Sequence, residues 1–433
     1  MALQHLTIVG AGWAGLSAAV AAIQQGWQVT LYEAVAQPGG RARALSQTFA
    51  GLPLDNGQHI LIGAYQQTLQ LMRTVGVEPE QVLQRLPLDL RDAQDRGLHL
   101  PDWPAPLNVL AGICTARGWT WHDKTQLLKA CWQWQRMHFD CDADWTVQQL
   151  NHHAALSDRV ITQLIEPLCL SALNTPMHQA SARVFLRVLH DALLTGPGSS
   201  DLLMPRVDLG AVLPNACMSW LTARGAHIHL GQRRDAHDIA THLNAHDALH
   251  PVLIACPSWE AARLAADHRP AWAQQAQDLA TEAIATVYLH CTDPAFEGLP
   301  RPMMALTCNA QAPAQFVFDR GALNGQKGLL AAVVSASQGT REEIAQQVRQ
   351  QVAEQFGVSS LAVIQTVVEK RATLACTPGL RRPEAFITPG LWACGDYVDG
   401  PYPSTLEGAV RSGQQVIAQI RDMAHREGLR LVM

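Results

Sequence analysis

Residues 6–33 read LTIVGAGWAGLSAAVAAIQQGWQVTLYE, and Gly10, Gly12 and Gly15 within them are spaced G-x-G-x-x-G. That spacing suits one piece of chemistry, the holding of a pyrophosphate. Gly10 permits a tight turn out of a strand. Gly12 lets a phosphate approach the backbone where a Cβ would collide, and Gly15 lets the next helix pack on the strand. Trp13 and Ala14 lie in the turn leading into that helix, whose N–H groups and positive dipole end face the phosphates. Glu33 lies 18 residues past Gly15 and ends the next strand. A carboxylate there accepts hydrogen bonds from ribose hydroxyls, with Ala34 following it at the same rim. The glycines alone are a weak signal. Strand, glycines, helix, second strand and terminal acid in register make a dinucleotide site.

Gly39, Gly40 and Arg41 come next. A Gly-Gly-Arg just past the ribose acid is expected of flavin proteins more than of nicotinamide dehydrogenases. The glycines let the loop pass close to the ligand, and Arg41 can neutralise phosphate charge bidentately. Arg43 reads as an ordinary solvated arginine. Far downstream, residues 391–413 read LWACGDYVDGPYPSTLEGAVRSG. An apolar strand ends at Gly395-Asp396, a Gly/Pro-rich turn follows, and a helix starts near Ser404, so that Thr405, Leu406 and Ala409 lie in its first turn. The N–H groups of this second helix start can stabilise negative charge on a reduced flavin ring.

The elements that must position these residues read as follows. Strands are predicted over 6–9 and 28–32, with a helix over 16–25 between them. A helix over 208–224 and strands over 226–230 and 250–256 belong with them. Strand-like runs at 284–290, 314–318 and 328–334 and helices over 124–137 and 342–356 fill the rest. The fold class is α/β: a discontinuous Rossmann-like nucleotide domain (1–90, 207–264, 363–433) interwoven with an α+β substrate domain (91–206, 265–362).

The chain has 433 residues, with 32 Lys plus Arg against 37 Asp plus Glu, a net charge of −5. That is no nucleic-acid footprint. Its ten cysteines form no C-x-x-C pair and its 18 histidines no H-E-x-x-H, so reduced thiols and no metal site are expected. The N-terminal apolar stretch is broken by glycines and lacks a basic leader, and no run reaches the roughly 18–20 apolar residues of a membrane span. A cytoplasmic protein is expected. Trp103, Trp119, Trp121, Trp132, Trp134 and Trp145 are six of the twelve tryptophans. Two readings stand for them: segment 100–137 lies shallowly on the inner membrane, or the indoles pack a helical core.

Together, the fingerprint, Gly39-Gly40-Arg41 and Gly395-Asp396…Thr405-Leu406-Glu407-Gly408-Ala409 resemble the amine oxidase / phytoene desaturase superfamily of FAD proteins. DNGQHILIGAY at 55–65, EPLCLSALNTP at 166–176, DLLMPRVDLG at 201–210 and YPSTLEGAVRSG at 402–413 resemble, more narrowly, the hydroxysqualene dehydroxylase family. The resemblance spans the chain. It implies that reduced FAD delivers hydride to a polyisoprenoid alcohol, replacing its hydroxyl and giving squalene for hopanoid synthesis. It places Gly57, Gln58 and His59 near the isoalloxazine ring, Thr405, Leu406 and Ala409 at the pyrimidine edge, and Asp396 by the ribityl or pyrophosphate region. His59 is the candidate general acid, since its ordinary pKa suits the task; its other role is to hydrogen-bond FAD or a carbonyl. Gln58 could orient the hydroxyl or a water, Asp55 braces the turn, and Tyr402 walls the cavity. With no cysteine at 400–410, FAD is expected to be noncovalent. An oxidative polyisoprenoid desaturase on the same fold is an alternative. So is a non-catalytic flavoprotein associating with the polyprenyl synthases of the squalene pathway.

Overall fold

The computed structural model describes residues 5–245, 250–358 and 360–431. The first apolar run is the strand His5–Val9, inside a six-stranded sheet. Its spatial order is Phe386–Thr388, Leu391–Ala393, Val252–Ile254, His5–Val9, Gln28–Tyr32 and His227–His229. Five strands run parallel, and Phe386–Thr388 closes one edge antiparallel. Parallel strands are covered on both faces, so they are apolar throughout rather than alternating. Leu6, Ile8, Val29, Leu31, Val252 and Leu253 are all buried accordingly.

The second sheet is antiparallel, in the order Met303–Ala305, Phe316–Asp319, Leu329–Ser335, Thr281–Cys291 and Leu361–Leu374. Its period-two pattern divides two cores. Ala285, Val287 and Leu289 pack with Ile344, Val348 and Val352 of the helix Arg341–Phe356. Tyr288, Phe316, Phe318 and Ala331 face the other way, into a core shared with Leu127, Trp134 and Phe185 of the helical insertion.

The structure departs from the sequence reading in places. The helix expected over 208–224 is two, Leu209–Val212 and Pro214–Thr222. Pro214 lacks an N–H and pushes Leu213 out of the helical region, to φ −150°. The boundary expected at 363 falls inside Leu361–Leu374, which pairs with Thr281–Cys291 in the antiparallel sheet. Likewise Leu202–Pro205, from the 91–206 insertion, pairs with Leu61–Ile62 and Leu83–Leu86 of the first segment. The two nucleotide-sheet strands of the middle segment are shorter than expected, His227–His229 and Val252–Ile254.

The first helix, Trp13–Gln24, and the last, Leu406–Leu431, lie against each other through small residues. Ser17 Oγ donates to Val410 O at 2.9 Å. A Cβ on Gly413 would press into the Ala14 carbonyl oxygen and stand 2.9 Å from Ala18 N. We therefore expect Gly413→Ala to destabilise the protein by about 1–3 kcal/mol through overpacking, more than offsetting the roughly 1 kcal/mol that alanine gains in a free helix. Urea denaturation measures this, and a raised midpoint would refute the close approach.

Candidate functional site

Three distant segments meet at the carboxyl ends of the central parallel strands. Gly10 has φ +116°, and a Cβ there would stand 2.6 Å from Ala255 O. A Cβ on Gly15 would enter the Gly10 carbonyl and come within 3.0 Å of Ala255 Cβ. These two glycines set strand and helix together. Gly12 is different: the nearest atom to an added Cβ is Gly40 Cα, 4.0 Å away. The loop is fastened there by Gly39 N donating to Ala11 O at 2.8 Å. The bare backbone of Gly12 and Gly40 thus forms a cradle that side chains would fill.

No side chain caps the helix at Gly12. The N–H groups of Trp13 and Ala14 therefore remain for a ligand's phosphates. The Trp13 side chain is structural: it is buried, and its indole N–H donates to Ala42 O at 3.0 Å. Glu33 accepts from Ala11 N at 2.7 Å and from Val35 N at 3.1 Å, which fixes its carboxylate beside the exposed Ala34. Two carboxylate oxygens offer about four acceptor positions, so capacity remains for ribose hydroxyls. The cradle, the uncapped helix and the held acid fit a dinucleotide cofactor.

The C-terminal motif joins this cradle through charge. Arg41 Nη2 meets Asp396 Oδ1 at 2.6 Å, and its Nη1 donates to Ala372 O at 2.6 Å. Each residue was read as contacting the ligand; the structure pairs them with each other, 355 residues apart. Gly395 N donates to Ser412 Oγ at 3.0 Å. Thr405 Oγ1 accepts from Gly408 N at 2.8 Å and the Thr405 carbonyl from Ala409 N at 3.0 Å, so Thr405 caps the last helix. Leu406 packs against the nucleotide-domain core. Glu407 performs a task the sequence did not show. It is buried and accepts from Gln67 N, Thr68 N and Thr68 Oγ1, at 3.1, 3.0 and 2.8 Å. It thereby caps the helix Gln66–Thr74, which has no side-chain cap of its own.

The turn after the strand Leu52–Asp55 carries Gly57, Gln58 and His59. His59 is half-buried, and its Nδ1 lies 3.0 Å from Gly57 O. A carbonyl only accepts, so Nδ1 carries the proton and the exchangeable proton is the one on Nε2. Burial holds the His59 pKa below 6.5, the hydrogen bond to Gly57 pulls it back up, and the positive charge of Arg41 lowers it further. Gln58 was read as orienting a hydroxyl or a water. Instead its amide is engaged inside the protein: Nε2 donates to His59 O at 3.2 Å, and Oε1 accepts from Arg320 Nη1 at 3.1 Å.

Arg320 is the residue the sequence reading missed. Its side chain is fully buried, and its guanidinium reaches three partners: Gln58, Gln326 Oε1 at 3.2 Å, and Asp55 Oδ2 at 3.4 Å. Asp55 also accepts from Leu209 N at 2.8 Å, and Tyr288 Oη lies 3.2 and 3.0 Å from its backbone N and O. Thr286 Oγ1 accepts from Gln58 N at 3.2 Å. Thr286 and Tyr288 alternate on the same face of the strand Thr281–Cys291, so the antiparallel sheet grips the turn from one side. Burial pushes the Asp55 pKa up to about 6 against the pull of Arg320. The one legible signal was Asp319, an N-cap residue type that accepts from Ala322 N at 3.1 Å and starts the short helix Arg320–Asn324. Nothing local reveals that the next residue is buried.

Removing one partner from a buried ion pair leaves the other charge uncompensated. Arg320→Leu is expected to cost about 3–5 kcal/mol in denaturant unfolding. Arg320→Lys keeps the charge but has one ammonium for three partners, so it should fold with a loosened turn and reduced flavin content. Wild-type stability in Arg320→Leu would remove this junction from the account.

Known proteins supply the remaining comparison. The profile of the family described as flavin containing amine oxidoreductase matches residues 13–420. A hydroxysqualene dehydroxylase from Rhodopseudomonas palustris is 28% identical over 428 residues, covering 94% of this chain and 96% of that protein. One from Zymomonas mobilis is 26% identical over 445 residues, covering 96% and 98%. Among solved structures, an oxidoreductase from Methanosarcina mazei superposes with a TM-score of 0.70 at 15% identity, over 96% of this chain and all of that one, 100%. With its α/β fold and its cradle for a flavin nucleotide, the chain belongs to the flavin-containing amine oxidoreductase family, as a flavin-dependent oxidoreductase.

Proposed function

We propose that this enzyme uses noncovalent FAD to remove the hydroxyl of hydroxysqualene reductively, giving squalene for hopanoid synthesis. The end-to-end likeness to hydroxysqualene dehydroxylases carries this reading. In the reaction the C–O bond breaks, the oxygen leaves as water after protonation, and a hydride takes its place. Bound at the cradle, reduced FAD would supply that hydride. The chain's own part is holding, placing and proton delivery. Gly12, Gly40 and the N–H groups of Trp13 and Ala14 take the pyrophosphate, and Glu33 the ribose. Asp396 and the helix start at Thr405, Leu406 and Ala409 take the flavin end.

Hydroxide is a poor leaving group, so an acid is needed. We assign it to His59. The Gly57 carbonyl keeps Nδ1 protonated in either charge state, which leaves Nε2 to take up a proton and give it away. A depressed pKa makes the protonated ring a stronger acid, at the cost of a smaller protonated fraction at pH 7. Gln58, clamped by Arg320, holds the His59 carbonyl and so the turn. Tyr402 donates to Asp191 Oδ2 at 2.7 Å and walls the site rather than donating to substrate. The enzyme would work in the cytoplasm, at the inner face of the membrane that dissolves its substrate, beside the synthases that make it.

The decisive experiment mixes photoreduced protein with hydroxysqualene anaerobically and follows flavin absorbance and extracted lipid. Reoxidation with stoichiometric squalene is expected. Flavin that stays reduced over unchanged alcohol rejects this reaction, and oxidised flavin that becomes reduced by a polyisoprenoid would establish the desaturase instead. The proton donor has its own test. Because the pKa of His59 is lowered, kcat should fall as pH rises through a midpoint below 6.5. His59→Asn should keep its flavin, lose about two to four orders of magnitude in kcat, and lose that limb of the profile. An unchanged profile would assign the proton elsewhere.

A further inference from the structure

The six tryptophans of the helical insertion divide sharply. Trp119 and Trp134 are buried, and Trp145 packs at the margin of the core. Trp103, Trp121 and Trp132 stand 57%, 70% and 57% exposed. Trp121 and Trp132 both lie on the helix Trp121–Arg136, eleven residues apart. At about 100° and 1.5 Å per residue they are nearly eclipsed and roughly 16 Å apart along one outer face. The neighbouring helix Leu107–Thr115 leaves Leu107 57% and Leu110 47% exposed, one turn apart. Half of the large apolar side chains exposed among the described residues thus fall between 103 and 132.

Charge on this segment runs against the rest of the chain. Residues 100–137 hold Arg117, Lys124, Lys129 and Arg136 against two acids, Asp102 and Asp123, in a chain of net charge −5. Arg117 pairs with Asp95 and buried Lys124 donates to Cys114 O, which leaves Lys129 and Arg136 facing outward. The Asp123 carboxylate is buried and accepts from Thr120, Ser157 and Arg159. Two of the cations sit on the exposed indoles: Lys124 Nζ lies 5.1 Å from the Trp121 ring and the Arg136 guanidinium 4.8 Å from that of Trp132. Indoles beside cations match the boundary of an anionic bilayer, where rings lie at headgroup level and cations meet phosphates. A groove of about 390 Å³ opens beside the same helices. Ala105 and Pro106 line it just before one helix, and Gln135, His138 and Phe139 at the end of the other. His190 and Leu194 close its far side, and the next residue, Asp191, bonds Tyr402 of the C-terminal motif.

We propose that Trp103, Leu107, Leu110, Trp121 and Trp132, with Lys129 and Arg136, form a docking surface for an anionic lipid bilayer. The groove then opens at the lipid boundary. Only that purpose rests on the polyisoprenoid reading; the docking itself does not. The test is co-sedimentation of the intact protein with phosphatidylcholine vesicles, with and without phosphatidylglycerol. Wild type should bind the phosphatidylglycerol vesicles, and less so at high salt. Trp121→Ala/Trp132→Ala replaces solvent-facing side chains and should weaken binding about tenfold or more. Lys129→Glu/Arg136→Glu should abolish the preference for phosphatidylglycerol. Circular dichroism confirms that the variants fold. No binding by wild type, or equal binding by the tryptophan variant, overturns the proposal. So does a dimer in light scattering that the tryptophan variant dissolves, since a second copy would then cover the face. Because vesicle binding needs no turnover, a failed hydroxysqualene assay leaves this result standing on its own.

Discussion

The buried ion pair of Arg320 and Asp55 is the junction on which the site depends. Both groups have left water, which costs several kcal/mol per ion, and their contact of 3.4 Å is too long to repay that alone. The repayment comes from the neighbours. Leu209 N and Tyr288 hold Asp55, and Gln58 and Gln326 hold Arg320. These partners come from the first segment, the middle segment, an interior strand of the antiparallel sheet and the connection between two of its strands. A hydrophobic replacement could fill the same space, but it could not tie these segments in one register. We read the pair as a source of geometric specificity more than of stability, with the turn at 57–59 as what it specifies.

Two helix starts complete the frame. The first helix meets the cradle bare of side chains, and the last is capped by its own Thr405. Small residues at Ala14, Ser17, Ala18 and Gly413 let these two helices run close, so their positive ends are set by backbone contact rather than by adjustable side chains. Glu407 extends the same logic outward. A carboxylate on the last helix neutralises the start of Gln66–Thr74, and the C-terminal motif thereby fixes an element of the first segment.

What was legible in the sequence was local. The G-x-G-x-x-G turn, the parallel strands and the period-two runs of the second sheet all announce themselves within a few residues. What was hidden was pairing across hundreds of positions. Leu361–Leu374 falls across the boundary read at 363, and nothing local says that the antiparallel sheet will take it. Glu407 reads as part of a helix start, although its partners are Gln67 and Thr68. Arg320 follows an N-cap aspartate, where a solvated arginine is the ordinary expectation, and only the folded sheet shows it reaching Asp55. Pro214 was the exception, since its breaking of the 208–224 helix could have been read directly. The tryptophans were half legible: the helix read over 124–137 left out Trp121, and only its start at Trp121 puts Trp121 and Trp132 on one face.

Burial is the main cause of the depressed His59 pKa, and Arg41 adds to it. Its charge lowers the proton affinity of His59, while Asp396 binds that same guanidinium at 2.6 Å. The same pair ties the loop after the ribose acid to the turn that follows the strand Leu391–Ala393. This pairing explains why Arg41 and Asp396, each readable alone as a ligand contact, are better understood as one unit.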